Sequence, residues 1–435
     1  MGPGLNKHTS IWSRLYPGFV LLTLSAAMAF SLIDRFALSL LFEPIKADLQ
    51  LSDTQLGLLH GVAFGLFYAT LGIPIAWLVD RWSRKWVIFL GIGCWSAMTA
   101  LCGFSRNFSQ LLGARIGVGV GEAALAPGGY SLIADVVPKN KFATAISIFQ
   151  MGSLFGAGLA LLLGGQILGF VETIDLSGMP LLGSLAPWQL TFIVLALPGI
   201  PFLLVLLLFR EPLRTGVVSD EPAVGLLEEL RKKYQVYTCL FLGNACLVAV
   251  SYGNVTWIPS ILARQYGWSI PDIGVRLGLL TLIVAPLGIL AGGLLADART
   301  RRGSTSPSSG LLMLSGVTTL ILVVVGLFAQ SAWALFAMVG LIQFSTGLVV
   351  GVGPAASVNL ASDGARGRIS AVYVFVINLI GLGLGPTLVG FLSDTVFAGE
   401  ILKSLQAFWL MMSISAVLLL AYLLRIGART ALHRF

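Results

Sequence analysis

Four ionisable residues lie inside long apolar stretches of this sequence. Asp34 and Arg35 are adjacent in the first such stretch, and Arg115 and Glu122 lie seven residues apart in the fourth. Residues seven apart fall on nearly the same face of a helix, so Arg115 and Glu122 should point the same way, about 10 Å apart along its axis. Each ionised side chain inside a bilayer costs about 2.5–3.5 kcal/mol. Four such groups therefore indicate a functional role.

The chemistry open to these residues is proton exchange and anion binding. Removal from water disfavours a charged carboxylate, so Asp34 and Glu122 can take up protons. Arg35 and Arg115 stay charged and offer a forked donor for a carboxylate or phosphate. Protonation of both acids leaves two positive charges, which an anion can balance. We therefore predict that the two acids couple protons and that the two arginines bind an anion or act as charge partners.

The composition places these residues in a membrane protein. Of 435 residues, 57% are hydrophobic and 11% are charged, whereas a soluble domain is roughly 45–50% apolar and about 25% charged. The mean hydropathy of +0.91 leads to the same conclusion, because so few charges cannot cover a water-exposed surface of this size. A soluble globular protein is excluded.

The apolar stretches divide into twelve predicted spans, each close to the 20 or so residues that a membrane helix needs. None shows the alternation of a membrane β-strand, so the predicted fold is all-α with twelve transmembrane helices. The spans cover residues 18–42, 55–80, 86–105, 109–132, 142–170, 187–209, 236–262, 273–296, 310–328, 333–358, 369–393 and 402–424.

The basic residues divide unequally between the two ends of these spans. Twenty Lys and Arg lie on the side that carries both termini, and five lie on the other side, at Lys46, Arg106, Arg264, Arg276 and Lys403. The positive-inside rule then places both termini in the cytoplasm. The net charge of +8 is topological and predicts no nucleic-acid partner. Short termini and loops suggest a bacterial inner membrane.

A short pattern occurs twice. Asp80 ends the second span and Asp297 ends the eighth, and a basic loop follows each. This repetition predicts two six-helix units, 1–209 and 236–435, joined by a cytoplasmic segment 210–235 that includes an amphipathic helix. The deep charges occur only in the first unit. A structural ion-pair network remains the alternative for them, but such a device would be expected in both units.

The residues from Ala76 to Lys85, in particular Asp80, Arg81, Arg84 and Lys85, resemble the loop signature of the major facilitator superfamily. The resemblance implies a fold of two pseudo-symmetric six-helix bundles. It departs at Ala76 and Ser83, where the family usually has Gly. It also implies that Asp80 and Asp297 latch the two halves on the cytoplasmic side, in a gate that includes Arg81, Arg84, Lys85 and Arg301. Topogenic charge is the alternative role for the basic residues.

A narrower resemblance involves Ile33–Phe36 and the run Arg-Ile-Gly-Val-Gly-Val-Gly-Glu-Ala-Ala at 115–124. Both are similar to the spinster branch of the superfamily. This similarity implies a proton-coupled secondary transporter of an amphipathic, anionic, lipid-like molecule such as a lysophospholipid or a sphingosine phosphate. Its charged head would bind Arg35 and Arg115. The proton would be the coupling ion, no cofactor or metal is expected, and the protein should act as a monomer among membrane lipids.

Sparse polar side chains in the second half are candidates for a substrate cavity, although each could instead bond a neighbouring helix. They are Tyr252, Asn254, Gln343, Tyr373 and Asn378. His60 is a candidate pH sensor or a packing histidine with satisfied nitrogens. Pro386 predicts a bend in the eleventh span.

Other classes of function fit less well. The sequence has no phosphate-binding Gly-x-x-x-x-Gly-Lys-Ser/Thr loop and no catalytic motif of the His-Glu-x-x-His or Gly-x-Ser-x-Gly type, so neither an ATP-driven pump nor a membrane enzyme is predicted. The alternative within transporters is a symporter of protons and a small organic anion. A wide apolar chamber would favour the lipid, and a small polar pocket would favour the small anion.

Overall fold

The computed structural model describes residues 11–138, 141–175, 183–212, 226–302, 307–362 and 365–432, and its regular structure there is helical throughout. Eleven helical segments are long and apolar enough to cross a membrane. The all-helical fold predicted from the apolar stretches is confirmed.

Helices of the N-terminal half are α1 (Ile11–Ala37), α2 (Phe42–Leu49), α3 (Asp53–His60), α4 (Val62–Arg81), α5 (Arg84–Cys102), α6 (Phe108–Glu122), α7 (Leu125–Val136), α8 (Phe142–Glu172), α9 (Pro187–Ala196) and α10 (Gly199–Leu207). The connecting segment contains α11 (Leu226–Lys232). Helices of the C-terminal half are α12 (Tyr234–Tyr266), α13 (Ile270–Arg301), α14 (Pro307–Gly326), α15 (Ala332–Leu360), α16 (Arg366–Ile377), α17 (Gly385–Thr395) and α18 (Ile401–Leu432).

The predicted fourth span is not one continuous helix, which corrects the prediction for residues 109–132. α6 ends at Glu122 and α7 begins at Leu125. Pro127 lies in the first turn of α7, where it cannot donate a hydrogen bond back to the carbonyl of Ala123. The helix therefore breaks directly after the buried acid, and the two pieces together supply the twelfth span.

Two further irregularities face each other across the halves. Gly61 interrupts the second span between α3 and α4, and residues Asn378–Leu384 form a π-helical turn directly before α17. A Cβ atom on Gly61 would lie 2.3 Å from the carbonyl oxygen of Gly383, so only glycine allows this crossing. The bend predicted at Pro386 thus takes the form of a widened turn that precedes the proline.

The two halves meet along two seams. α8 packs along α13, and α3 and α4 pack against the π-helical turn and α17. Within the N-terminal half α1 lies along α8, and within the C-terminal half α12 lies along α18. The predicted residue boundaries of the two units stay a prediction, since part of the connecting segment, residues 213–225, lies outside the described residues.

Two carboxylates in the described parts of the connecting segment accept hydrogen bonds, one from each half of the protein. Glu211 accepts hydrogen bonds from the backbone N–H groups of Arg84 (3.1 Å) and Lys85 (3.0 Å), at the start of α5. Glu229, in α11, accepts from the hydroxyls of Tyr237 (2.9 Å) and Ser362 (3.1 Å). These donors and Lys233 hold the pKa of Glu229 at about 2, although burial alone would raise it.

We expect Glu229→Gln to destabilise the protein at neutral pH. The folded pKa lies below the ordinary value of 4.5, so the carboxylate stabilises the fold above about pH 4.5, and this contribution disappears as the pH falls toward 2. A contribution on the order of 2 kcal/mol follows. Thermal melts should separate the variant from the wild type at pH 7 and converge in acid.

Glu228→Gln is the matched control, because Glu228 is exposed and, among the described residues, pairs with Lys232 one helical turn away. Exposed pairs contribute little, so this variant should melt like the wild type. Equal melting temperatures of the Glu229 and Glu228 variants at pH 7 would contradict the anchoring role.

Candidate functional site

Arg35 and Glu122 form a buried ion pair between α1 and α6. The Arg35 Nη2 to Glu122 Oε2 distance is 2.7 Å, and Ser31 donates to the same oxygen at 2.8 Å. Arg35 is 5% exposed and Glu122 is 2% exposed. Arg35 therefore has Glu122 as its ion-pair partner, and its role in binding an anion stays a prediction.

Asp34 lies on the same helix but is less well satisfied. It accepts a hydrogen bond from the hydroxyl of Thr99 on α5, while its Oδ1 atom is buried with no partner among the described residues. Arg115 and Glu122 both lie within electrostatic reach of Asp34. A buried carboxyl oxygen with no partner can take up a proton or accept a hydrogen bond from a ligand.

Arg115 is the least satisfied charge in the cluster. It is fully buried, and none of its three side-chain nitrogens has a hydrogen-bond partner within the described ranges. Its guanidinium carbon lies 5.9 Å from the centre of the Phe64 ring, and that of Arg35 lies 4.2 Å from the same centre. Two arginines thus approach one aromatic ring, and only Arg35 is paired with an acid.

The structure therefore brings the four predicted charges together. Glu122 bonds to α1 directly and Arg115 interacts with Asp34 on α1, so the residues seven apart do share a face. The set encloses unpaired donors on Arg115 and an unpaired acceptor on Asp34, in a site closed to water. Such a site can bind an anion and a proton together, because their charges balance and each ligand gives an unpaired group a hydrogen-bond partner.

His60 is buried at the end of α3, with no exposed surface. Its ring packs against Phe36 (centroids 5.8 Å apart) and Phe42 (6.1 Å). Neither ring nitrogen has a hydrogen-bond partner in the part of the chain that the structure describes. His60 therefore packs as a buried ring, without a hydrogen-bond partner among the described residues, and its role as a pH sensor stays a prediction.

The predicted polar cavity residues separate into two groups. Asn254 and Gln343 line a common void, and the ring of Tyr252 stacks on Phe36 at 6.0 Å, next to the charged cluster. These three lie where a substrate that crosses between the halves could touch them.

Tyr373 and Asn378 have other partners, which corrects their assignment as cavity residues. The Tyr373 hydroxyl accepts a hydrogen bond from Asn244 on α12, and both side chains are buried. Asn378 donates to the carbonyl of Val374 in its own helix at 3.0 Å. The first contact joins two helices, as polar groups inside membrane bundles commonly do, and the second stays within one helix.

On the side of the bundle that bears Arg84, Lys85 and Arg210, here called the basic side, neither Asp80 nor Asp297 forms a latch between the halves among the described residues. Asp80 and Asp297 are both exposed. Arg301 is exposed as well, and Arg81 stacks on Trp77 with its guanidinium carbon 4.0 Å from the ring centre. Any latch at this position belongs to another conformation.

Arg84 and Lys85 tie the N-terminal half to itself. Arg84 pairs with Asp135 at the end of α7 and with Glu211 at 2.9 Å. Lys85 donates to the carbonyls of Leu207 and Phe209, both at 2.8 Å. These basic residues therefore join α5, α7 and the end of α10, beyond any topogenic effect.

An ion cluster that the sequence analysis missed joins the halves at the opposite end. Arg264 of α12 contacts Glu43 at 2.8 Å and Asp53 at 2.9 Å. Asp53 is fully buried, and also pairs with Lys46 and accepts from Ser393 of α17 at 2.7 Å. We name these five residues the opposite-side latch. The sequence analysis counts Lys46 and Arg264 only as topological charges. Acidic residues close to the same span ends are the signal that could have indicated an ion cluster.

The start of α3 is held to α17 by a second carboxylate. Asp394 accepts hydrogen bonds from the backbone N–H of Thr54 at 2.7 Å and from its hydroxyl at 2.6 Å. The first N–H groups of a helix lack partners within the helix, so a carboxylate from the other half satisfies them. Together with the opposite-side latch, this cap seals one end of the interface.

We expect Arg264→Ala to open the opposite side more often. The change leaves the buried Asp53 with Lys46 as its counter-charge, and removing one partner of a buried ion cluster destabilises the arrangement that contains it. Because the latch forms only in the closed arrangement, the loss shifts the population toward an open one. Spin labels at the exposed positions Ala47 and Val396 should report a longer distance component.

Arg276→Ala is the matched control for this measurement. Arg276 also lies near the opposite side, but it stacks on Trp268 (4.5 Å) and Trp333 (4.9 Å) within the C-terminal half. Its removal should leave the label distances as in the wild type. Identical distance distributions in the two variants would show that Arg264 does not latch the halves.

An all-helical membrane protein with a charge cluster buried beside the seam between two bundles, and with the bundles latched at one end, has the architecture of a transporter. The profile of the Major Facilitator Superfamily matches residues 24–386. The chain belongs to the major facilitator superfamily and is of the spinster type.

Relatives and solved structures agree with this assignment. The chain is 30% identical to an MFS-type efflux pump of Mycolicibacterium smegmatis, over 84% of this chain and 81% of that protein. It is 25% identical to a hexuronate transporter of Bacillus subtilis, over 88% and 90%. A crystal structure of a bacterial homolog to the human lysosomal transporter spinster, inward-facing and unoccupied, superimposes with a TM-score of 0.78 at 29% identity, covering 95% of this chain and 96% of that one.

Proposed function

We propose that this protein is a proton-coupled secondary transporter that moves an anionic, amphipathic, lipid-like substrate by alternating access. The single observation that carries the proposal is the unpaired Arg115 beside Asp34, whose Oδ1 atom is also unpaired. An anion satisfies the first and a proton satisfies the second, so the two ligands favour each other's binding. The proton is the only coupling ion that the proposal needs.

Glu122 and Arg35 extend the site. Their ion pair neutralises both charges while the site is empty. An anion bound to Arg115 lies near the second guanidinium across the shared Phe64 ring, and competes with Glu122 for Arg35. Glu122 keeps its negative charge, and the one proton bound at Asp34 offsets the charge of the anion. This exchange of partners couples the occupancy of the site to proton binding without leaving a charge unbalanced.

The alternating-access step follows from the two ends of the interface. The opposite-side latch is closed, while Asp80 and Asp297 on the basic side are exposed. With the basic side in the cytoplasm, this arrangement is open inward. The return state would break the opposite-side latch and bring Asp80 and Asp297 to their partners, in the manner of two rocking halves. We propose that one chain suffices for the cycle.

A small organic anion is the second candidate substrate. The hexuronate transporter of Bacillus subtilis matches almost the whole chain, and the charge cluster is enclosed, which suits a compact carboxylate. A sugar acid and a lysophospholipid share an anionic group next to hydroxyl groups, so both fit the same arginines. They differ in the need for an apolar chamber that accepts an acyl chain.

Concentrative transport tests the proposal. The purified protein is reconstituted in liposomes with an imposed pH difference, and labelled glucuronate or lysophosphatidic acid is added. The lysolipid is scored by the fraction protected from extraction with external albumin. Each coupled proton should support roughly tenfold accumulation per pH unit, lost on adding a protonophore. Equilibration of both probes, unaffected by the pH difference, would overturn the proton coupling.

A further inference from the structure

A small, mostly apolar void with a few polar groups in its lining lies at the seam between the halves. Its volume is about 10 Å³, which is room for roughly one water molecule. Leu161 of α8 supplies the wall from the N-terminal half, and the polar lining comes from the C-terminal half. That lining consists of Ser251 and Asn254 on α12, Thr281 on α13 and Gln343 on α15.

Asn254 is the unsatisfied group in this lining. It is 3% exposed, and neither its amide oxygen nor its amide nitrogen has a hydrogen-bond partner among the described residues. A buried amide without partners costs about 1–3 kcal/mol, so its presence requires an explanation. Gln343 and Thr281 are joined to each other, with Nε2 donating to the hydroxyl at 3.3 Å.

The chemistry of the void is neutral. Amide and hydroxyl groups both donate and accept hydrogen bonds, and no charged residue lines the space. These groups match a hydroxyl of a ligand, which also donates and accepts and occupies about the volume of one water. A carboxylate or an ammonium would remain uncompensated there.

The void lies close to the charged cluster along α12. Tyr252, next in sequence to Ser251, is within electrostatic reach of Arg35 and stacks on Phe36 of α1. Val255 lines the void and packs in the same apolar cluster as Phe36. A single turn of α12 thus borders both Arg35 of the charged cluster and the neutral void.

We propose that this void is a subsite for a neutral hydroxyl group of the substrate. Asn254, together with Ser251, Thr281 and Gln343, would form hydrogen bonds to that hydroxyl. The inference rests on the proposed function and narrows it to anions that carry a hydroxyl near the charged group. Both a sugar acid and the glycerol of a lysophospholipid have this chemistry. The unpaired Asn254 amide would form its hydrogen bonds only with the ligand, and its burial without partners destabilises the empty protein.

Asn254→Leu tests the subsite, with Asn378→Leu as the matched control, because Asn378 also lies in a span but bonds its own helix. Binding is measured by ligand-induced shifts in melting temperature with two pairs of anions. Glucuronate and lysophosphatidic acid carry hydroxyls, and hexanoate and dodecyl phosphate do not. Glucuronate and hexanoate form the pair that tests a small organic anion, and lysophosphatidic acid and dodecyl phosphate form the pair that tests a lipid.

We expect Asn254→Leu to bind the hydroxylated probe roughly five- to tenfold more weakly, which is the loss of one or two neutral hydrogen bonds. Binding of its hydroxyl-free partner should be unchanged, as should both affinities in Asn378→Leu. The empty Asn254→Leu protein should melt no lower than the wild type, because an unsatisfied amide is removed.

Three outcomes would overturn the subsite. In the first, the empty Asn254→Leu protein melts several degrees below the wild type while its ligand-induced shifts stay intact. In the second, Asn254→Leu binds probes with and without hydroxyls equally more weakly. In the third, Asn254→Leu and Asn378→Leu change the affinities equally. If the wild type binds none of the four anions, the proposed function fails. The melting temperature of the empty variant then decides the subsite by itself, since a structural asparagine lowers it and a reserved one does not.

Discussion

Asp34→Asn is expected to abolish concentrative transport while leaving downhill exchange of substrate. Asparagine keeps the shape of the side chain and can still accept the hydrogen bond from Thr99, but it cannot bind or release a proton. Accumulation driven by one unit of pH difference should fall from roughly tenfold to equilibrium. Exchange of labelled for unlabelled substrate, measured without a gradient, should continue.

Asp272→Asn is the matched control, because it makes the same chemical change at an exposed carboxylate in the first turn of α13, which accepts a hydrogen bond from the capping Ser269 hydroxyl. It should accumulate substrate like the wild type. Loss of exchange as well as accumulation in Asp34→Asn would assign the residue to folding or binding, and normal accumulation would remove it from the coupling mechanism.

Arg115→Gln is expected to weaken substrate binding by about 100-fold. A guanidinium that binds an oxyanion through two charge-assisted bonds contributes about 3 kcal/mol, which corresponds to that factor. The empty variant should fold and melt no lower than the wild type, because Arg115 has no hydrogen-bond partner to lose among the described residues. Titration calorimetry with the transported anion gives the affinity directly.

Two further variants separate charge from geometry. Arg115→Lys keeps the charge but loses the fork, so it should bind more weakly than the wild type and more tightly than Arg115→Gln. Arg106→Gln, at an exposed position on the opposite side, should bind normally. An affinity of Arg115→Gln within a factor of three of the wild type would show that the anion binds elsewhere.

The charged cluster could be predicted because its signal is local. Four ionised side chains in apolar stretches are costly wherever they point, and the seven-residue spacing of Arg115 and Glu122 places them on one face of any helix. The partners within the cluster could not be predicted. The pairing of Arg35 with Glu122 depends on how α1 packs on α6, and the contact of Thr99 with Asp34 depends on α5.

The opposite-side latch could not be predicted from the sequence alone. Asp53 and Arg264 are 211 positions apart and each is an ordinary span-end charge in the sequence. Their meeting depends on the relative orientation of the two bundles, which changes during transport. The exposure of Asp80 and Asp297 could not be predicted either, because a sequence motif cannot specify which conformation the chain adopts.

Polar residues within spans were only partly predictable. Asn244, Asn254 and Asn378 look alike in sequence, yet one bonds a tyrosine on another helix, one has no partner in the described structure, and one bonds its own backbone. Rotation of each helix about its axis decides among these outcomes. The unsatisfied residue, Asn254, is therefore the most informative of the three.

Proton movement triggered by substrate is the most direct test of the central claim that anion and proton share one site. Liposomes that contain a pH dye and either the wild type or Asp34→Asn are mixed with glucuronate or lysophosphatidic acid at equal pH on both sides. We expect a pH change inside wild-type liposomes with at least one of the two anions and none with Asp34→Asn. An equal pH change in both, or substrate entry into wild-type liposomes without any, would contradict it.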